Sequence, residues 1–425
     1  MSLPARLAIP RVEDLIDGYF AGGFADLSDT QLAEVIALAV SRPKLARASS
    51  FVLHAPLELL ARAALLPMVE PVAREAARQR LLWLGAAYKE AGEEVPEPAP
   101  SSYDQPAEAL AAFRAALNAG DSATADGAAA WLAAVLTPTE LAAALADDIL
   151  PRLSAAAHGS IFLFQLPRVA PRSAAIAGTL RGLVRELLAE PDWKLSWYQG
   201  RTAAPTDPGD LMERLRRPRS PGDPGSPFIY PVMSLVESSG LALETLDAAT
   251  YSLDVRSATR ILLRVAALSM LQDNPEHAPY GWSHCLTMPQ AVLGIAGTCA
   301  QPRDAVAVAA TYVLGFRATQ GSTTLDPQWS PAAPASKDSL ALLDSEPALA
   351  AAGVWHAPPA ALSAITARLA TRAALHQDAH LAKYTHACFD AASADPAAAR
   401  LYLAAAAYLS SWWAQRPQHA HEARP

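Results

Sequence analysis

The sequence predicts an all-α protein. Alanine and leucine dominate it, apolar residues recur at three- and four-residue steps, and strand-like alternation is nearly absent. Those steps are the helical period, and both residues are strong helix formers. Ser28-Asp29-Thr30-Gln31 reads as an N-cap opening a helix that ends near Pro43. Stretches 49–66 and 70–92 follow, divided by Pro67 and Glu70-Pro71, with Pro71 suited to a first turn. Helices are then expected over 104–118, 121–136 and 138–157, the last opened by Thr137-Pro138-Thr139-Glu140. The periodic stretches 172–190, 228–239, 255–272, 285–299, 302–318, 359–392 and 395–415 complete the set. Ile161-Phe162-Leu163-Phe164 is the single short strand candidate.

The expected organisation is one large bundle-like domain over residues 1–425. Two long loops interrupt it, and a polar, flexible tail covers 416–425. Residues 203–227 hold six prolines and three glycines around Leu211–Leu215, and residues 319–337 are rich in Ser, Thr and Pro. Loops of this length either edge a ligand cavity or are mobile insertions. No fixed-period repeat suggests a solenoid.

The composition is 52% hydrophobic and 18% charged, enough apolar material for a large core. The net charge of −8 carries no basic stripe, which argues against nucleic-acid binding. Cys285, Cys299 and Cys388 form no CxxC and are odd in number, as expected of a reducing compartment. The N-terminus has no apolar h-region. No charge-free apolar run approaches the ~20 residues of a membrane span. The nearest, Ile261 to Leu271, contains Arg264. A cytoplasmic protein that engages no membrane is the expectation.

Several catalytic signatures are missing. There is no GxGxxG, no GxxxxGK[ST], no HExxH and no Glu-x-x-His. Gly281-Trp282-Ser283-His284-Cys285 lacks the second glycine of a GxSxG elbow. An oxidoreductase built from this chain would draw its reactivity from a metal or a loosely bound cofactor.

Four of the ten histidines lie in apolar helical context: His54, His158, His284 and His380. A buried imidazole needs partners for both nitrogens. A core histidine bonded to a carbonyl meets that need, and so does a metal ligand contributed by one of several inward-facing helices. His376, His380 and Lys383 fall at i, i+4 and i+7, one face of an expected continuous helix, with His386 turned partly away. A lysine on an apolar face either snorkels to solvent or is buried neutral. A neutral amine can take up carbon dioxide as a carbamate, an anionic oxygen ligand. His277 and His356 sit in loops beside prolines, and His419 and His421 in the tail, as surface residues would.

In order and spacing, these elements resemble the questin oxidase-like family. They are the early His54, Ala157-His158 ahead of an apolar run, His284-Cys285-Leu286-Thr287 after an aromatic turn, and His380-Leu381-Ala382-Lys383. The resemblance spans roughly 50 to 415. It implies an all-α oxygenase acting with dioxygen on polycyclic aromatic polyketides such as anthraquinones, by Baeyer–Villiger-like or ring-cleaving chemistry. It also implies a mononuclear non-haem iron held by His54, His158, His284, His380 and a carboxylated Lys383, with His380 and Lys383 at the catalytic centre. Phe162-Leu163-Phe164-Gln165-Leu166-Pro167 departs from the aromatic, glycine-rich context usual after the second histidine, which bears on substrate identity. Tyr280, Trp282 and Tyr384 are candidates for lining a substrate cavity, with core packing as the alternative role. NADPH is a conceivable co-substrate, although no motif for it occurs. Two other readings stand beside this one: a zinc-dependent hydrolase, for which Asp378 and Asp390 are the aspartates near the cluster, and a non-catalytic helical protein that binds a ligand or partner.

Overall fold

A computed structural model describes residues 8–98, 101–201, 211–251 and 253–416. Helices account for nearly all of its regular structure. Among the described residues there is no strand, and Lys44–Glu94 and Arg152–Lys194 make isolated antiparallel bridges. In chain order the first helices are α1 (Leu15–Ala21), α2 (Asp29–Val40), α3 (Ser50–Leu65), α4 (Arg74–Glu90), α5 (Pro106–Ala119), α6 (Ser122–Val135) and α7 (Pro138–Ile149). Then come α8 (Gly159–Val169), α9 (Ala174–Ala177), α10 (Leu180–Ala189), α11 (Leu211–Arg216), α12 (Ile229–Ser238), α13 (Leu241–Tyr251) and α14 (Val255–Gln272). The last six are α15 (Ser283–Ile295), α16 (Pro302–Gln320), α17 (Pro347–Trp355), α18 (Leu362–Leu375), α19 (Ala379–Ala394) and α20 (Ala399–Gln415).

Local chemistry sets the boundaries. Ser28 and Thr137 each close a capping box, with Gln31 and Glu140 respectively reaching back to the cap nitrogen. Asp254 caps α14 and Asp378 caps α19 through their carboxylates.

The expected helix 138–157 stops at Ile149, because Pro151 cannot continue it and the chain then enters a left-handed turn. Ile161–Phe164 is helical, inside α8, so the strand expectation is corrected: burial on most sides hides the helical period there. The expected helix 359–392 is two helices, broken at His376–Asp378. His376 therefore lies on neither helix and does not share the face of His380 and Lys383. Loop 319–337 begins after Gln320. Of loop 203–227, residues 203–210 lie outside the described residues, as does the tail beyond Arg416.

The described parts of both loops are tied down together. Arg216 Nε donates to the Leu325 carbonyl (2.6 Å), and the buried Arg317 donates to the carbonyls of Arg216 and Thr323 while pairing with Asp273. Ser50–Met68 meets the length and hydropathy of a membrane span, in place of Ile261–Leu271; 67% of it is buried inside the protein, as in a core helix.

The site rests on four helices. α3 packs on α8, α8 on α15, α15 on α19, and α19 back on α3, forming a closed ring. Outside the ring, the close approach of α8 to the end of α7 depends on Gly159. A Cβ there would sit 2.5 Å from Ile149 Cγ2, and Ile149 is 1% exposed with little room to swing. Gly159→Ala is therefore expected to destabilise the protein by about 1–3 kcal/mol in chemical unfolding. Combining it with Ile149→Ala, which removes the overlapping Cγ2, should cost less than the sum of the two single changes.

Candidate metal centre

Each helix of the ring delivers one histidine to a common point. His54 comes from the second turn of α3, His158 caps α8, His284 lies in the first turn of α15, and His380 in the first turn of α19. All four are 8% exposed or less. Ring centroids are 4.7 Å apart for His54–His158, 4.6 Å for His54–His380, 5.4 Å for His158–His284 and 4.9 Å for His284–His380.

The outward nitrogens are all occupied by acceptors. His54 Nδ1 lies 2.6 Å from the Ser50 carbonyl, and His158 Nδ1 lies 3.0 Å from the Ala155 carbonyl. His284 Nδ1 is bonded to the Tyr280 carbonyl, and His380 Nδ1 lies 2.8 Å from Asp378 Oδ1. A carbonyl or carboxylate only accepts, so each Nδ1 carries the proton and each Nε2 is a bare lone pair. The Nε2 atoms of His54, His284 and His380 have no hydrogen-bond partner, and these three side chains can bring ligand atoms within 4.8 Å of one another. The fourth, His158 Nε2, lies 3.5 Å from Lys383 Nζ. An unsatisfied buried acceptor costs about 1–3 kcal/mol. Three together form a donor set that could hold a metal ion.

Electrostatics keep the cluster ready for such an ion. Burial, followed by the nearby Lys383, holds His54 and His158 well below the usual imidazole range; burial followed by His380 does the same for His284. The positive N-terminal ends of α8 and α19 act in the same direction. Burial lowers the Lys383 amine to about 7, against the opposing pull of Asp378 and Glu58. Burial works to raise Asp378, but His380 and its hydrogen bonds outweigh that and hold the carboxyl well below its ordinary range.

Sequence reading missed the supports of the cluster. Asp378 accepts from both the backbone nitrogen and Nδ1 of His380, and the Tyr280 hydroxyl lies 3.2 Å from its other oxygen. Asp378-Ala379-His380, a capping residue two positions before a histidine, was the available signal. Behind it, Glu58 forms a buried pair with Arg62, and Arg80 joins them. Arg62 donates to the carbonyls of Ala374 and His376, and Arg80 to that of Gln377, so two guanidinium groups hold the α18–α19 break. A Glu/Arg pair at i, i+4 in an apolar helix was the signal there.

The aromatic candidates divide. Tyr280 sits in the π-helical turn Ala278–Trp282, its ring edge-on to His380 at 4.9 Å, and it is 45% exposed. Trp282 is fully buried, its indole nitrogen donating to the Asn274 carbonyl, and Tyr384 is buried with its hydroxyl beside Cys388. His376 stacks obliquely on Trp413, and His356, exposed, is bonded to the Pro331 carbonyl. Asp390 pairs with Arg168. The three cysteines are buried and free. Comparison of the chain with protein families, curated proteins and solved structures returns no match.

His158 is presented by an unusual backbone. Ala155, Ala156 and Ala157 all have positive φ, at 52°, 48° and 55°. Left-handed backbone costs an alanine about 1–2 kcal/mol. The turn aims the Ala155 carbonyl at both the backbone nitrogen and Nδ1 of His158. Ala156→Gly should therefore raise stability, by about 0.5–1 kcal/mol in thermal unfolding, the reverse of the same change in a regular helix. A second outcome concerns pH. In metal-free protein in carbon dioxide-free buffer, the unfolded chain binds a proton at Lys383 that the folded chain lacks between pH 7 and 10.5. Folding stability should rise through that window, by up to about 1.4 kcal/mol per pH unit from this group, and Lys383→Met should flatten the rise.

Proposed function

We propose that this protein is a metal-dependent oxidoreductase whose ion is held by His54, His158, His284 and His380, with Lys383 beside it. The observation that carries the reading is the set of partnerless, buried Nε2 atoms on His54, His284 and His380. An all-imidazole set suits iron, copper, zinc or nickel. Such an ion, when bound, would supply redox and Lewis-acid chemistry. We further propose iron, dioxygen as co-substrate and a polycyclic aromatic polyketide as substrate, following the resemblance to questin oxidase-like proteins.

The chain's own residues support that assignment in specific ways. Asp378 orients His380 and strengthens it as a donor. The Ser50, Ala155 and Tyr280 carbonyls fix the other three tautomers. Lys383, 6% exposed and beside His158, is placed to carry a carbamate that would add the negative charge the imidazoles lack. Among the described residues, Tyr280 is the one half-exposed ring against a cluster histidine, so an aromatic substrate would approach on that side. A dinuclear zinc hydrolase is less well served. Asp378 faces the outer nitrogen of His380, and Asp390 is engaged by Arg168, so neither aspartate is turned to the cluster.

The test is metal content by mass spectrometry on purified protein, together with oxygen consumption in the presence of an electron-rich phenol. Near-stoichiometric iron is expected, lost in His284→Ala. Asp378→Asn should weaken metal affinity by about 10–100-fold while leaving the helical signal intact. Substoichiometric metal that is unchanged in His284→Ala would overturn the reading. Stoichiometric zinc without oxygen consumption would return it to a hydrolase.

A further inference from the structure

The four helices of the ring leave the histidines in coincident register. The residues three and seven positions after each histidine all line one cavity on the axis of the ring. Lys383 belongs to the first set; Ala61, Gln165, Ala291 and Ala387 make up the second. The cavity has room for about 10 Å³, the space of a single water, and the buried Gln165 Oε1, which has no partner, suits a water there. An aromatic ring exceeds that volume. The four histidines are themselves 8% exposed or less, so this cavity gives a polycyclic substrate no route to the proposed ion.

Solvent meets the cluster at Tyr280, the one exposed tyrosine among the described residues. Its ring stands edge-on to the His380 ring at 4.9 Å. Its hydroxyl donates to Asp378 Oδ2 at 3.2 Å, and Asp378 Oδ1 lies 2.8 Å from His380 Nδ1. One phenol is thus joined to one cluster histidine twice, ring to ring and through a shared carboxylate, while its other side faces water. A phenol can give up a single electron reversibly, because the phenoxyl radical spreads over the ring once the hydroxyl proton has gone. Water on the exposed side takes that proton. Asp378, its carboxyl held well below the ordinary range, is a poor base for it.

We infer that Tyr280 is an electron-transfer residue: an electron-rich phenol is oxidised against its exposed face, one electron at a time, without entering the protein. The inference rests on the proposed redox centre for its oxidant, and it names where the aromatic substrate of that centre reacts. Tyr280 loses one electron toward the cluster, where an oxidised transition-metal ion is the acceptor, and its hydroxyl proton to water. The Tyr280 phenoxyl radical then takes one hydrogen atom, an electron and a proton together, from the hydroxyl of the substrate. Tyr280 is a phenol again, and the substrate leaves as a phenoxyl radical.

The experiment uses the full chain in two arms, with Tyr280→Phe in both. That change removes a half-exposed hydroxyl and keeps the backbone carbonyl that holds His284 Nδ1, so fold and metal content should stay as they are. In the first arm, protein chelated free of metal is oxidised by azide radicals from a radiolysis pulse. Tyrosyl absorption should appear, be discharged by added guaiacol, and be mostly absent in Tyr280→Phe. In the second arm, metal-loaded protein is given guaiacol free in solution and the same phenol linked to dextran, which cannot enter a protein interior. The linked phenol should be oxidised at a rate comparable with the free one, and both rates should fall about tenfold or more in Tyr280→Phe at unchanged metal content. Oxidation of the free phenol alone would place the substrate inside the protein and overturn the inference. A tyrosyl yield or an oxidation rate that Tyr280→Phe leaves unchanged overturns it equally. Protein that takes up no metal overturns the centre and with it the oxidant, whereas the first arm judges Tyr280 without any metal, so the two failures are distinguishable.

Discussion

Four imidazoles can share one buried volume only when each passes its proton outward and keeps a lone pair inward. That constraint organises much of what surrounds them. It demands four acceptors on the outside of the cluster, and the chain provides the carbonyls of Ser50, Ala155 and Tyr280 and the carboxylate of Asp378. Each acceptor has its own local origin. Ser50 lies one turn before His54 in a regular helix. Ala155 is turned by left-handed backbone, Tyr280 sits in a widened turn, and Asp378 stands at a helix start. The irregular backbone in this protein thus gathers where the cluster needs support.

The charge arrangement follows the same logic at longer range. Glu58 is buried deep in α3, where a lone carboxylate would be costly, and it is compensated by Arg62 and Arg80. Both guanidinium groups have donors left over, and these satisfy the open carbonyls around the α18–α19 break. One ion cluster therefore stabilises the C-terminal end of α18 and fixes the position from which Asp378 reaches His380. Stability and site geometry share these residues.

Much of this was legible in the sequence, and the rest was hidden for physical reasons. Helical period and capping chemistry located α2, α3 and α14 closely, since Ser28, Ser49 and Asp254 cap their starts, while α20, with Ala398 at its cap position, was located by period alone. The four histidines stood out because imidazole is unusual in apolar stretches. The break at His376–Asp378 was invisible: no proline or glycine marks it, and it is held by arginines some 300 residues earlier in the chain. The left-handed turn before His158 was equally hidden, since three alanines in a row read as helix. Trp282 and Tyr384 carried two readings, cavity lining and core packing, and both side chains are buried as core packing requires.

The coincident registers of α3, α8, α15 and α19 constrain how this chain can change over evolutionary time. Inserting one residue after a cluster histidine would rotate the remainder of that helix by about 100°. Lys383 or Gln165 would leave the axis and a neighbouring side chain would enter it. Length variation should therefore collect in the stretches that join the four helices, above all residues 321–340, where added residues turn nothing. Between positions 54 and 61, 158 and 165, 284 and 291, and 380 and 387, the chain is free to exchange side chains but not to change its count.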